Sequence, residues 1–341
     1  MSPAVDAQSA RLEYRVVHAA PRELQHRIDE AGRDGFECVS VARPEQDVTL
    51  NGVVVIMARP ANVITPPRVM HRIALGAGSG GDLQTILERG GTEGFRLCGV
   101  ALAEVTPMPT LVAVMSRRSD TDAAPWHYAA EVLGNRDRLA LLVAKGREGF
   151  EPVAVSPVND NRVVEQRNWV VVAERSATST MPIDIAIRSG PGPDALRRAV
   201  TEQSQQGYIV NLLWKEGLTT MVVAMSRLPV DPTVRPEFII DTMEPSRMDG
   251  LSGVYVGDVP YLSDGQRLVL TIRDRSSTNY VVQDRLPFMG PLDYADLNAM
   301  RPLGEHLSSN RGAREQVTFS SVRRDARGGL MLHTVVTRLG Q

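Results

Sequence analysis

The stretch GFECVSV, residues 35–41, decides the fold, because it marks the place where a helix ends and a buried strand begins. Before it, residues 21–31 carry apolar side chains at helical spacing, and residues 14–17 alternate like a strand. After a polar turn, residues 53–59 are typical of another strand. The order strand, helix, strand, strand is therefore predicted for residues 11–60.

A glycine followed by an aromatic residue recurs along the chain at intervals of 59, 55 and 58 residues. The four pairs are Gly35-Phe36, Gly94-Phe95, Gly149-Phe150 and Gly207-Tyr208. Glycine readily takes the left-handed conformation that ends a helix, and we expect the aromatic residue after it to face inward. A period of this kind indicates tandem modules.

The predicted fold class is α+β, with four tandem βαββ modules that have antiparallel sheets, followed by an all-β, sandwich-like C-terminal domain. A three-stranded sheet with one helix leaves one face of the sheet open, so we expect the modules to associate into one or two pseudo-symmetric bodies. The predicted boundaries are 11–60, 68–118, 125–176 and 182–228 for the modules and 237–341 for the C-terminal domain.

The C-terminal prediction depends on the loss of the period after residue 228. Residues 228–236 contain three prolines and are typical of a stiff linker. Beyond them, short runs of strand-forming residues are separated by turn signals, which favours an all-β domain. The predicted strands are 238–240, 253–256, 267–272, 280–282, 316–319 and 330–336.

Residues 13–17, 35–39 and 56–59 resemble a family of small bacterial domains of unknown function. The signature of that family runs Tyr-x-Val-Val, a short helix, Gly-(Trp/Phe)-Glu-x-Val, a turn and a last strand ending in a basic residue. Residues 149–153 with 173–175 match next best, and the modules at 68–118 and 182–228 lack the glutamate. The resemblance implies a βαββ fold and no particular activity.

A second resemblance concerns residues 265–273 and 279–287, which are similar to a β-sandwich domain of bacterial macroglobulins. It implies an adhesive or structural sandwich. The reactive thioester segment of that family has no counterpart here, and the family usually works outside the cytoplasm.

Composition argues against several kinds of partner. The net charge of −2 and the 5% aromatic content do not favour binding to nucleic acid. The first residues lack the basic and then apolar pattern of a signal peptide, and no run of about 18 apolar residues is present. We therefore expect a cytoplasmic protein that does not insert into membranes.

The two cysteines, Cys38 and Cys98, do not predict a disulfide framework. Each follows a Gly-Phe pair on a predicted core strand. We interpret them as small buried side chains.

The sequence GAGSGG, residues 76–81, is the main candidate for ligand binding. Gly76, Gly78 and Gly81 satisfy the G-x-G-x-x-G pattern between a strand and a helix, so this turn could hold a phosphate. The alternative is a variable turn, because the fourth module has SGPGPD at 189–194 and the other two modules lack the glycines. The predicted antiparallel strand pair also differs from a dinucleotide-binding crossover.

Arginine ends the last strand of each module, and two interpretations stay open. The four side chains could line a groove for an acidic ligand, or they could be solvated strand ends that protect sheet edges. They are Arg59, Arg117, Arg175 and Arg227.

No catalytic or metal site is predicted. The histidines show no metal-binding spacing, and the carboxylates are scattered singly. The six histidines are His18, His26, His71, His127, His306 and His333.

These observations predict a non-enzymatic structural or scaffolding protein without a cofactor. It is expected to self-associate or to bind a partner protein through sheet edges and helix faces. The alternative is a regulatory protein that binds a small ligand or nucleotide at residues 76–81. A hydrolase would require a cluster of His, Asp or Ser side chains that only the fold could assemble.

Overall fold

The chain has mixed α and β structure, and most of its strands lie in small antiparallel sheets of three strands, as a computed structural model shows. The residues that the structure describes are 11–44, 50–76, 80–105, 108–121, 124–133, 136–157, 168–179, 181–216, 220–227, 238–243, 251–252, 254–255, 267–272, 278–287, 297–309, 315–324, 327 and 329–338.

Each of the four predicted modules contains a strand, a helix and two strands in that order. Module 1 comprises β1 (Leu12–Ala19), α1 (Pro21–Arg33), β2 (Glu37–Pro44) and β3 (Val53–Pro60). Module 2 comprises β4 (Val69–Gly76), α2 (Gly80–Thr92), β5 (Arg96–Val105) and β6 (Met108–Arg118). Module 3 comprises β7 (Trp126–Leu133), α3 (Arg136–Arg147), β8 (Glu151–Pro157) and β9 (Trp169–Ser176). Module 4 comprises β10 (Asp184–Pro191), α4 (Gly192–Ser204), β11 (Ile209–Glu216) and β12 (Thr220–Arg227).

The third strand of each module lies between the first and the second and is antiparallel to both. In β3, every residue from Val53 to Ala58 is buried, and the third strands of the other modules have the same pattern. An antiparallel strand with one wet face would alternate apolar and polar residues. The continuous apolar runs therefore mean that both faces of each sheet are covered.

The helices α1, α2 and α3 each cover two sheets, their own and that of the next module. Leu24 and Ile28 of α1 share one core cluster with Val55 of module 1 and with Val112 and Val114 of module 2. The helix α2 is placed in the same way between modules 2 and 3, and α3 between modules 3 and 4. The sheet face that a single module would leave open is thus buried by the helix of the preceding module.

The Gly-aromatic pairs end the helices as predicted. Gly35 has a φ of +81°, its N–H donates to the carbonyl of Gly32, and the N–H of Phe36 donates to the carbonyl of Ala31. This is a Schellman ending, in which the left-handed residue is nearly always glycine. The same pair of bonds is found at the other three helices, and all four aromatic side chains are buried.

A small residue in the last turn of the helix lets the backbone of the next module approach closely. A Cβ atom on Gly32 would lie 2.2 Å from the carbonyl oxygen of Val69, and one on Gly91 would lie 2.1 Å from that of Trp126. The equivalent distance from Gly146 to the carbonyl oxygen of Ile183 is 2.5 Å. Helix and strand therefore pack at a separation that leaves no room for a side chain.

Glutamine side chains cover the outer edges of two first strands. Gln25 of α1 donates to the carbonyl of His71 at 2.9 Å and accepts from the N–H of Ile73 at 2.9 Å. Gln84 of α2 donates to the carbonyl of Tyr128 at 2.6 Å and accepts from the N–H of Ala130. The amide takes the place of a neighbouring strand, so these edges are not open for pairing.

The expectation of an all-β C-terminal region is wrong, because this region contains a helix. Its described elements are β13 (Phe238–Met243), β14 (Leu251–Ser252), β15 (Val254–Tyr255), β16 (Arg267–Ile272), β17 (Thr278–Arg285), α5 (Leu297–Ser309), β18 (Glu315–Arg324) and β19 (Leu330–Arg338). The strands β17, β18 and β19 are arranged in the order β17-β19-β18, with α5 between the first and second. We call β17, α5, β18 and β19 module 5, since they have the element order and sheet order of the other modules.

Module 5 was hidden in the sequence because its marker residues differ. The strand β18 begins with Glu315 where the other modules have an aromatic residue, and Glu315 forms an ion pair with Arg338 at the end of the last strand. Pro302 lies inside α5 and weakens its helical signal. The buried residues Met300, Leu303 and Leu307 nevertheless keep helical spacing.

Module 5 closes a circuit of contacts by packing against module 1. The strand β18 pairs with β2 in parallel, and α5 covers the second face of the module 1 sheet. Ser308 accepts a hydrogen bond from the N–H of Tyr14 at 2.8 Å, and a Cβ on Gly304 would lie 2.8 Å from the Tyr14 carbonyl. Between modules 4 and 5, α4 contacts β13, while β14 pairs with β17.

A disulfide joins modules 1 and 2, contrary to the interpretation of the cysteines as free side chains. Cys38 on β2 and Cys98 on β5 are 60 residues apart, which is about one module, and their Cα atoms are 6.0 Å apart. The strands β2 and β5 are neighbours across the interface. Equivalent regions of consecutive modules meet there, which the count of cysteines alone does not reveal.

The close approach at Gly91 predicts a large loss of stability for Gly91→Ala. The new methyl group would meet the backbone of Trp126, which cannot move without disturbing β7, so we expect a loss of about 3 kcal/mol in the free energy of unfolding. Gly90→Ala is the matched control, because its nearest neighbour is the flexible end of Met115. Urea unfolding measures both, and equal stabilities would contradict the packing described.

The disulfide predicts a second measurable contribution to stability. Closing a loop of 60 residues corresponds to about 4 kcal/mol in the chain-entropy description. We expect the variant Cys38→Ser/Cys98→Ser to unfold at a correspondingly lower urea concentration, and wild type in reductant to match it. Thiol titration of the denatured wild type should find no free thiol. Two free thiols in protein purified under oxidising conditions would refute the bond.

Candidate functional site

The four recurrent arginines are engaged within the protein. Arg59 lies 4.5 Å from the ring centre of Phe36 and donates to the carbonyl of Asp34 at 2.7 Å. Arg117 and Arg175 make the same two contacts in modules 2 and 3. Arg227 lies over Tyr208 and pairs with Asp184. These cations stabilise helix ends, so the arrangement does not support a shared groove for an acidic ligand.

A chain of polar groups connects modules 2, 3 and 4 at the starts of their second strands. Arg96 of module 2 donates from Nε and Nη2 to Oε1 of Glu174 in module 3, at 3.0 and 2.9 Å. Glu151 of module 3 accepts from Asn211 at 2.8 Å and from Ser226 at 3.0 Å, both in module 4. In module 3, the glutamate of the sequence signature, Glu151, is therefore used for contacts with module 4.

Burial governs the acidity of these carboxyl groups. It raises the pKa of Glu174 above its usual range, and the facing Arg96 only partly opposes the effect. Burial likewise raises the pKa of Glu37, with Arg118 and Arg96 opposing. Buried carboxyls with raised pKa values occur at catalytic sites as well as in structural networks. The two hydrogen bonds that Oε1 of Glu174 accepts from Arg96 favour the structural role.

A groove of about 700 Å³ lies where the circuit closes, between α5, the outer edge of β1 and α1. Its floor is formed by Tyr14 and Val16, whose side chains belong to the core shared with α5. The α5 wall includes Arg301 and Glu305. On the opposite side, α1 contributes Arg27 and Glu30.

Most charges around the groove are paired. Three ion pairs involve groove residues, namely Arg15 with Asp34, Glu13 with Arg59 and Arg301 with Glu305. Glu30 lies 3.2 Å from His26. Arg11 donates hydrogen bonds to the last two carbonyls of α5. Arg27 is half-buried, and no described residue forms an ion pair or hydrogen bond with its guanidinium. Among the residues that the structure describes, Arg27 is therefore the one cation of the groove walls without such a partner.

The glycine turn that the sequence singled out is described only at its two ends. Gly76 ends β4, and a Cβ there would lie 3.3 Å from Leu83, so close packing of strand on helix accounts for this glycine. Gly81 belongs to the first turn of α2. Gly78 lies outside the described residues, and phosphate binding at this turn stays a prediction.

The histidines are dispersed. His18, His71 and His333 are buried in different parts of the fold, and His26 is exposed on α1. His306 lies on α5, 3.9 Å from Asp284. Within the described ranges, no group of three or more His, Cys, Asp or Glu side chains is arranged to hold a metal ion.

Sequence reasoning missed the groove because its walls come from opposite ends of the chain. The residues Tyr14 and Ser308 that meet there are 294 positions apart. A helical pattern at Met300, Leu303 and Leu307 was the available signal for α5, but nothing local indicates that α5 packs on β1.

Comparison with protein-family models finds no match for the chain, and comparison with curated proteins finds none either. No helix in the described part of the chain is both long and apolar enough to cross a membrane.

The buried histidines predict a loss of stability in acid. Burial lowers the pKa of His18 and of His71 to about 4, against about 6.5 in an unfolded chain. Between pH 4 and pH 6.5 the unfolded state therefore binds more protons than the folded state. The free energy of unfolding is unaffected by these histidines above pH 6.5 and falls as the pH drops towards 4, by roughly 3 kcal/mol for each histidine.

The measurement is the urea midpoint at pH 7, 6, 5 and 4 for wild type and His71→Leu. Other groups that titrate are common to both proteins, so the difference in slope isolates His71. The variant should lose less stability in acid, whereas His26→Gln, at an exposed site on α1, should follow wild type. Parallel curves for wild type and His71→Leu would contradict the assignment.

Proposed function

We propose that this protein is a non-enzymatic scaffold that associates with further copies of itself. The observation that carries the proposal is the closed circuit of modules, in which glutamine and glutamate side chains connect neighbouring modules. A rigid body built from repeats presents a broad surface suited to macromolecular partners. The sequence also suggested association through open sheet edges. The outer edges of β4 and β7 do not support this route, because glutamine side chains cover them.

The contact surface that we propose lies in the linkers between modules. Ile64 is fully exposed and Val63 is 43% exposed in the linker after module 1, while Met181 is 55% exposed in the linker after module 3. The two linkers pass the same point of their modules, the glycine that ends the helix. A Cβ atom on Gly35 would contact Pro66 of the first linker, and a Cβ atom on Gly149 would contact the carbonyl oxygen of Met181 in the second.

The same kind of apolar surface thus occurs twice on one copy. Two such surfaces per copy allow contacts with more than one neighbour and hence growth beyond a dimer. Apolar side chains this exposed, at equivalent sites, are typical of a surface that another chain covers.

We also infer that the protein works in an oxidising compartment. The expected cytoplasmic location is at odds with the disulfide between Cys38 and Cys98, because reducing systems keep cytoplasmic thiols free. The same proposal holds that the protein is not an enzyme and does not bind nucleic acid.

Light scattering over a hundredfold concentration range tests the scaffold proposal. We expect the mass of the wild type to exceed 37.3 kDa and to rise with concentration. The variant Val63→Ser/Ile64→Ser should shift this rise to a concentration at least tenfold higher, because about 1.4 kcal/mol or more of apolar contact is removed. Ala61→Ser, at an exposed site in the same linker, is the matched control. A constant monomer mass for the wild type would refute self-association.

A further inference from the structure

The contact region of modules 2, 3 and 4 holds two carboxyl groups and a single arginine. Glu151 and Glu174 lie directly opposite each other on β8 and β9, a placement that puts two side chains on the same face with Cβ atoms about 5 Å apart. Within the described residues, Arg96 is the only cation in an ion pair with either carboxylate, and the side chain of Glu174 is 6% exposed. If both glutamates were ionised, this region would carry an excess negative charge.

The same region has more buried hydrogen-bond acceptors than donors. Both hydrogen bonds from Arg96 go to Oε1 of Glu174, while Oε2 is buried without a partner. Both hydrogen bonds from module 4, donated by Asn211 and Ser226, go to Oε1 of Glu151. The Oδ1 atom of Asn211 is also buried without a partner. Carboxylate and amide oxygens only accept, and a buried acceptor without a donor is costly, so a donor is missing here.

The neighbouring tyrosine cannot supply that donor. Tyr128 on β7 pairs with Glu174 from the other side of β9. Its hydroxyl group donates to the carbonyl of Phe95 at 3.1 Å and accepts from the N–H of Leu97 at 2.8 Å. A phenol has one proton, and this one is already used. A proton on Oε2 of Glu174 would convert an acceptor into a donor and would also remove the excess charge.

The electrostatic surroundings of Glu174 act in the same direction. Burial raises the pKa of Glu174 above its usual range, Arg96 opposes this effect, and the charge of Glu151 adds to it. Burial also raises the pKa of Tyr128, so the phenol stays neutral. Two neighbouring carboxyl groups with one positive partner titrate as a pair that retains a proton to higher pH.

We propose that Glu174 makes this region a pH-sensitive joint, which is tight when Glu174 carries a proton and loosens when it ionises. In the tight state, Oε2 is the missing donor and Oε1 keeps both hydrogen bonds from Arg96. On ionisation, two negative carboxylates face each other beside one arginine, and their repulsion acts on the contacts that join module 3 to modules 2 and 4. The joint lies within one copy, so the proposal goes beyond the scaffold function and does not depend on it.

Urea unfolding of the full-length protein from pH 5 to pH 9 tests the proposal. Glu174→Gln imitates the protonated carboxyl group, because the amide accepts at one atom, donates at the other and has no charge. A raised pKa means that the stability contributed by Glu174 is complete below about pH 4.3, the ordinary value, and is lost as the pH rises through the folded-state value. We expect the midpoint of the variant to exceed that of wild type by an amount that grows with pH. His18 and His71 are common to both proteins.

A control variant and a local measurement complete the test. Glu23→Gln, at an exposed site on α1, should follow wild type at every pH. Amide hydrogen exchange at Leu97, corrected for its intrinsic pH dependence, reports on the joint directly. Its protection in wild type should fall about tenfold or more between pH 5 and pH 9, the effect of one proton over one pH unit, and should stay constant in Glu174→Gln.

Three results would overturn the proposal. The first is a midpoint difference between wild type and Glu174→Gln that is the same at every pH. The second is Leu97 protection in wild type that does not change with pH, a measurement that needs no variant. The third is stabilisation of wild type, but not of Glu174→Gln, by added calcium, because a metal ion and not a proton would then satisfy the carboxylate.

Discussion

The structure depends on the burial of the central strand of each sheet from both sides. In β3, Val53, Val55 and Met57 face α1, while Val54, Ile56 and Ala58 face α5. Neither face could be left in water without exposing several large apolar side chains, each of which contributes about 2 kcal/mol when buried. Modules 1 to 4 therefore each lie between two helices, one of their own and one from a neighbouring module.

This requirement explains why the modules form a circuit and not an open row. An open row would leave the first sheet with one uncovered face, because its covering helix would be missing. The helix α5 supplies that cover for module 1, and β18 extends the sheet from the side of β2. The first and last parts of the chain thus complete one another, and the disulfide between β2 and β5 adds a covalent tie between consecutive modules.

Polar groups at the module interfaces follow the same plan with different residues. The edge of β4 is covered by a glutamine, whereas β1 at Tyr14 is covered by a serine. The arginine at the end of β3 stacks on an aromatic ring, and the one at the end of β19 pairs with a glutamate. Departures from a repeated pattern are informative, since sites of function are where local rules are broken.

The sequence by itself determined the local elements of modules 1 to 4. The helix endings were predictable, because the backbone conformation after the last helical turn requires glycine at Gly35 and its counterparts. The strands were predictable from their apolar runs, since burial on both faces leaves no polar positions. Module 5 was missed because Glu315 replaces the aromatic marker and Pro302 interrupts the helical pattern.

Only the tertiary structure decided how these elements meet. The pairing of β2 with β18, the disulfide between Cys38 and Cys98, and the groove between α1, β1 and α5 all join residues far apart in the chain. Local sequence specifies backbone conformation and which residues avoid water, but several neighbours can satisfy the same apolar face. The shapes of the two surfaces decide which neighbour packs there, as in the close approach of Gly304 to Tyr14. Such surfaces form only when the chain has folded.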